Sequence, residues 1–289
     1  VTGVQTCALP IFRCRQKMRM FARTNILARN LGVALVIGVA LQSLAADYKL
    51  GVQTWTLRNL NFDQMVEFCA EHEITNLQVI ANHISPTAPI AEIKRKKAIL
   101  DKHGLKVYTF GVAGTSMDKE KNRQLFEFAK LMGIKVIIVE PRDYRILDNL
   151  EELVKEYDIK IAIHNHGIKS NYGNPSVVRN LIMHRDARIG VCLDVGWVTS
   201  ARFDAGKVFK DYKGRVYDIH LKDKKVSNTS SGDVATPAGI GEGDCNYKGL
   251  FAALREANYD GVLAIETDAN LKDPKDFVVN AKKFVAENY

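Results

Sequence analysis

The chain has 289 residues, 46% hydrophobic and 26% charged, with 20 Gly and 7 Pro. That composition excludes a disordered or collagen-like chain, and the length suits one large α/β domain or two small ones. The formal charge of +8 calls for no polyanionic partner: residues 1–46 hold Arg13, Arg15, Lys17, Arg19, Arg23 and Arg29 and no acid, so the remainder carries only +2.

Val1–Ile11 reads as the in-frame translation of a sequencing-library adapter, and residues 1–17 are taken as a scar outside the fold, Cys7 with them. Residues 18–46 read as a secretory signal peptide. Translation starts at Met18 or Met20, and Arg19, Arg23 and Arg29 form the basic region. Leu31–Leu41 is an apolar stretch too short to span a bilayer comfortably, and Ser43-Leu-Ala-Ala46 offers small residues for cleavage. The expectation is an exported, periplasmic protein with no membrane association after cleavage; a retained anchor is the alternative. Cys69, Cys192 and Cys245 are too sparse for a disulfide framework, and Cys192 lies in an apolar run as a small core residue.

From residue 47 to 289 short β-branched runs alternate with amphipathic segments. Strands are expected at 49–55, 76–80, 105–110, 135–140, 160–166, 189–194, 216–220 and 261–266. Helical patterns lie between them, for example Asp63–Glu73 and Asp118–Met132, and Asp273-Pro274 opens the last. Gly104 and Gly133 stand where helices should stop before the third and fourth strands. Eight such units predict a single-domain (β/α)8 TIM barrel. A doubly wound sheet is the rival, but its glycine-rich turn after the first strand is replaced here by Trp55-Thr-Leu-Arg-Asn59. Val226–Asn246, rich in Ser, Thr and Gly, is expected to be one long loop acting as a lid.

Barrel active sites form where the strands end and the βα loops converge. The fourth strand ends in Glu140, the fifth in His164 and His166, the sixth in Asp194, the seventh in His220 and the eighth in Glu266. Each follows an apolar run, where an unpaired charge is costly. Alternation sets His164 and His166 on one face, aligns Lys222 with His220, and puts Asp218 one layer deeper. Asp218 there is structural, or holds an imidazole tautomer. Carboxylates and imidazoles converging on one rim call for a cation, and the mixed set suits one divalent ion: Mn2+, Co2+, Mg2+ or Zn2+. Taken singly, such residues are as often helix caps, ion-pair partners or packed histidines; their recurrence on successive strands carries the reading.

Ala162-Ile-His-Asn-His-Gly167, Cys192-Leu-Asp-Val-Gly196, Asp218-Ile-His-Leu-Lys-Asp223, Gly241-Glu-Gly-Asp244 and Ala264-Ile-Glu-Thr-Asp268 together resemble the sugar phosphate isomerase/epimerase superfamily, the xylose-isomerase-like barrels. The resemblance spans about residues 48–289. It implies a divalent metal held by carboxylates and a histidine, onto which Asp194, His220 and Glu266 map directly. Many members have Glu where this chain has His164, and the missing carboxylate is expected from Glu140. That pattern looks more like the inosose dehydratase or 3-keto-glycoside lyase type than the epimerase branch, and Trp197 stands where epimerases often place a histidine.

The resemblance therefore implies removal of a proton alpha to a sugar carbonyl, followed by β-elimination from a keto-sugar or 3-keto-glycoside. Glu140, Asp194, His220 and Glu266 are assigned to the metal. His164 and His166 are base and acid, with His164 the alternative fifth ligand. Lys222 faces the carbonyl oxygen, and Trp55 and Trp197 are placed to stack on a sugar ring, or to pack the rim. A small carbohydrate is the expected partner; an assembly of identical subunits is compatible with the reading. The alternatives are a metal-dependent epimerase or aldose–ketose isomerase, and a non-catalytic carbohydrate-binding barrel. A DNA-repair endonuclease of this fold lacks its extra histidines here, and a near-neutral mature chain argues against nucleic acid.

Overall fold

The computed structural model describes residues 48–230 and 232–289. The segments read as scar and signal peptide, 1–17 and 18–46, lie outside the described residues, and with them the retained-anchor alternative. In chain order the first half comprises β1 (Lys49–Gln53), α1 (Phe62–Glu71), β2 (Asn76–Val79), α2 (Ile90–Lys102), β3 (Lys106–Ala113), α3 (Lys119–Met132), β4 (Val136–Val139) and α4 (Ile146–Tyr157). The second comprises β5 (Lys160–His164), α5 (Pro175–Met183), β6 (Ile189–Asp194), α6 (Val195–Ser200), α7 (Ala205–Asp211), β7 (Val216–Leu221), β8 (Asp223–Thr229), β9 (Gly232–Ala238), α8 (Tyr247–Glu256), β10 (Val262–Ile265) and α9 (Lys275–Asn288). Strands β1 to β7 and β10 pair in parallel and in chain order, and β10 closes onto β1. The expected TIM barrel is thus observed.

Local chemistry sets the element ends. Asn61 and Gln64 form a reciprocal capping box at the start of α1, and Asp118 caps α3. Gly133 ends α3 in the left-handed conformation, φ 77°, which a Cβ would disfavour. The fifth strand stops at His164, two residues before the expected end, because the Asn165 side chain takes over the pairing. Its Oδ1 accepts from the Asp194 amide at 3.0 Å and its Nδ2 donates to the Asp194 carbonyl at 3.2 Å.

The segment Val226–Asn246 is not one long loop: β8 and β9 pair antiparallel from Asp223↔Ala238 to Thr229↔Gly232. Both faces of this hairpin are largely solvated, so it shows no apolar alternation for a sequence reading to detect. Among the described residues no helix is long and apolar enough to cross a membrane.

Strand alternation divides the core in two. Outward residues such as Ile137, Ile161, Val191, Ile219 and Leu263 join the helices in one large apolar cluster. Among the described residues, Ile138, Ala162 and Cys192 form a second, small buried apolar cluster inside the barrel. Polar side chains occupy much of the rest of the interior, and they build the site.

Candidate functional site

Four strand ends converge. His164, Asp194, His220 and Glu266, all buried, each offer a ligand atom, and these atoms lie within 4.8 Å of one another. His164 Nε2 is 3.4 Å from Asp194 Oδ2, His220 Nδ1 is 3.6 Å from the same oxygen, and His220 Nδ1 is 2.6 Å from Glu266 Oε2. Beyond these contacts with one another and an ion pair from Lys222 to Asp194, His164 Nε2, Asp194 Oδ2, His220 Nδ1 and Glu266 Oε2 make no well-formed hydrogen bond. Buried polar atoms left unpaired carry a desolvation cost of about 1–3 kcal/mol each. The convergence of such atoms on one point fits a cation site.

Each ligand atom is aimed by its neighbours. Asp194 is the N-cap of α6: its Oδ1 accepts from the Trp197 amide at 2.9 Å, which turns Oδ2 toward the cluster. Burial opposes charge on Asp194 and Glu266, yet Lys222 and His220 hold both carboxyls below the usual range, Glu266 at about 2, and His164 adds to the effect on Asp194. Burial lowers the His164 pKa and keeps it a neutral imidazole, the form that binds metal. His220 is shifted the other way: burial opposes its charge, but the carboxylates of Glu266, Asp194 and Asp218 outweigh burial.

Lys222 is buried, with Nζ 3.0 Å from Asp194 Oδ2, 3.1 Å from Glu266 Oε1 and 2.9 Å from Asp268 Oδ1. Its stem runs against Gly196, where an added Cβ would come within 2.8 Å of Lys222 Cγ. Asp268 also takes Lys224, at 2.6 Å, and the Lys224 ammonium lies 3.7 Å from the centroid of the Trp197 ring. One face of Trp197 is therefore occupied by Lys224, and Gly167 packs against its ring. Trp55 is 41% exposed, with Arg58 stacked 4.7 Å from its centroid, and Arg58 also binds the carbonyls of Asp268 and Ala269.

Glu140 follows β4 rather than ending it, and its carboxylate reaches His166, with Oε2 2.5 Å from Nδ1. The cluster's fourth member is accordingly His164, while Glu140 groups with His164 and His166 beside it. His166 is the half-exposed imidazole of the site, its ring 4.5 Å from that of His164.

Several residues of the site had not been singled out. Lys224 shares the strand parity of Lys222, and that alternation was the signal for it. Asp268 sits in a quoted motif but has only its spacing from Glu266 to betray it. Asp223 is buried and its carboxylate accepts from the amides of Lys224, Gly241, Gly243 and Cys245 at 2.8–3.2 Å. This explains why Gly241-Glu-Gly-Asp244 accompanies the strand-seven motif: a Cβ at Gly243 would come within 2.1 Å of Asp223 Oδ1.

Known proteins resemble the chain in sequence or in fold. Inosose dehydratase of Clostridium perfringens is 24% identical over 200 residues, which cover 56% of this chain and 67% of that one. Inosose dehydratase of Lacticaseibacillus casei is 22% identical over 237 residues, 66% of this chain and 80% of that one. Among solved structures, a protein of Bacillus anthracis assigned as the 3-DHS dehydratase AsbF superposes with a TM-score of 0.67 at 14% identity, covering 82% of this chain and 98% of that one. The IolI protein with a bound zinc atom superposes with a TM-score of 0.64 at 16% identity, covering 83% and 97%. Residues 66–283 match the sequence pattern of one family; with its closed parallel barrel, the chain belongs to the xylose isomerase-like TIM barrel family.

Proposed function

We propose that this chain is a divalent-metal-dependent sugar enzyme of the lyase type. In this reading it removes a proton alpha to a carbonyl and expels a β-leaving group from a keto-sugar or 3-keto-glycoside. The observation that carries the proposal is the convergence of four buried ligand atoms, none in a well-formed hydrogen bond, beside a half-exposed, carboxylate-held imidazole.

His164, Asp194, His220 and Glu266 would hold the metal. Two imidazoles and two carboxylates suit Mn2+, Co2+ or Zn2+ better than Mg2+, which prefers oxygen; the zinc of the IolI structure supports the same class. When bound, the ion supplies Lewis acidity toward a substrate carbonyl oxygen.

The protein's own groups supply the rest. Glu140 accepts from His166 Nδ1, so the other ring nitrogen is left with the lone pair and faces out as the general base. The carboxylate also stabilises the imidazolium that forms, and that imidazolium can return the proton to the departing group. Lys222, pinned between Asp194, Glu266 and Asp268, places a fixed positive charge where the carbonyl oxygen gains negative charge. Trp55 offers its exposed ring to the sugar.

The dehydratase relatives support elimination over epimerisation. Export, read from residues 18–46, supports an unphosphorylated substrate. The test is aglycone release from a 3-keto-glucoside by the protein from Asp47 onward, with and without EDTA. Metal-dependent release that is lost in Glu266→Gln is expected. Absence of release, with metal-dependent exchange of an alpha proton in D2O, would replace the lyase by an epimerase.

A further inference from the structure

Resting on the reading of His220 as a metal ligand, we infer that Gln78 is the positioning residue that fixes the His220 ring with its proton on Nε2 and its lone pair on Nδ1. Gln78 is fully buried on β2, across the barrel interior from β7. Its Oε1 lies 2.8 Å from His220 Nε2, while His220 Nδ1 faces Glu266 and Asp194.

The direction of this bond follows from the groups around it. The Gln78 Nε2 is 3.5 Å from the Gly111 carbonyl, which also accepts from Gln53 Nε2 at 3.0 Å. A carbonyl can only accept. Turning the Gln78 amide over would set its oxygen against that carbonyl and aim two N–H groups at the imidazole. Gln53 cannot supply the alternative, because its own Oε1 accepts from the Trp55 amide at 2.8 Å. The amide oxygen of Gln78 therefore points at His220, and Nε2 must donate to it.

Asp218, the expected partner of the imidazole, is engaged elsewhere. Its Oδ1 accepts from the Tyr108 hydroxyl at 2.9 Å, and its Oδ2 accepts from the Cys192 thiol at 3.8 Å while standing 3.5 Å from His220 Nε2. The Cys192 Sγ also lies 3.2 Å from His220 Nε2, and a thiol that gives its hydrogen to Asp218 leaves Nε2 to donate to Gln78. The polarity of a backbone carbonyl on β3 is carried through Gln78 to the lone pair that faces the cation site.

The experiment is proton-detected 15N NMR of histidine-labelled protein, free and loaded with Zn2+, together with the Zn2+ affinity. His220 should show a slowly exchanging Nε2–H in the wild type. In Gln78→Met that resonance should shift and exchange faster, with Zn2+ affinity reduced about 10–100-fold, the size usual for a group supporting a metal ligand. Gln78→Glu, which keeps an acceptor oxygen, should retain the resonance and guards against a folding defect in the first variant. A wild-type ring protonated at Nδ1 and bare at Nε2, or a Gln78→Met protein with unchanged resonance and affinity, would overturn the inference. A wild type with the Nε2–H in place but no Zn2+ binding would instead overturn the metal reading and leave the ring assignment standing.

Discussion

Where β5, β6, β7 and β10 reach the mouth of the barrel they present His164, Asp194, His220 and Glu266; on the inward faces of β1, β2 and β3 stand Gln53, Gln78 and the carbonyl of Gly111. The first arc is titratable, and its ligand atoms face one another without well-formed hydrogen bonds. In the second, neutral amides hydrogen-bond to one another's neighbours. The difference teaches a division of labour. A site that must meet a cation leaves its donors bare, and the wall opposite spends its polarity on aiming them. Apolar residues there would have packed as well, but could not have told His220 which nitrogen to offer.

Breaking the charged arc should give the largest effect. Asp194→Asn or Glu266→Gln replaces a charged ligand carboxylate by a neutral amide and should lower metal affinity by more than the roughly 10–100-fold typical of a supporting residue, read by titration of chelator-stripped protein. Next in size, His166→Gln should cost about 10²–10⁴-fold in turnover, the usual contribution of a general base, with metal affinity unchanged. A parallel fall in affinity would place His166 among the ligands instead.

Smaller effects separate the frame from the chemistry. Gly243→Ala forces a Cβ to within 2.1 Å of Asp223 Oδ1 and should destabilise by about 1–3 kcal/mol, as overpacking does. Urea denaturation checks it, and no loss would mean that the glycine-rich turn does not depend on the Asp223 carboxylate.

The smallest lies beside the neutral arc, in the segment after β2. Burial lowers the pKa of His83, which bonds to Thr54 Oγ1 and the Leu60 carbonyl, each at 3.0 Å. The unfolded chain binds that proton more readily, so the contribution is complete above about pH 6.5 and is lost as pH falls below it. His83→Gln should flatten that part of the stability profile; an unchanged slope would assign it to other groups.

Much of this was legible because the barrel repeats itself. A buried run followed by an acid or a histidine, recurring on successive strands, marks a rim whatever the details of the loops. Asp194, His220 and Glu266 were readable in that way, and so were the histidines of the fifth strand. The place of Glu140 was not, because β4 ends at Val139 and the direction of the next side chain depends on loop geometry. The β8–β9 hairpin escaped for a different reason: with both faces in solvent, it buries no apolar stripe to set a period. Gln78 had no signal at all. A glutamine in an apolar strand announces burial of an amide, but its partner is 142 residues away on another strand.

The central claim is that His164, Asp194, His220 and Glu266 form one cation site, and calorimetric titration of the chelator-stripped protein with Mn2+ or Zn2+ tests it most directly. The account predicts one site per chain, present in His166→Gln and abolished in both Asp194→Asn and Glu266→Gln. Absence of binding by the wild type, or binding that persists unchanged in both carboxylate variants, would contradict it.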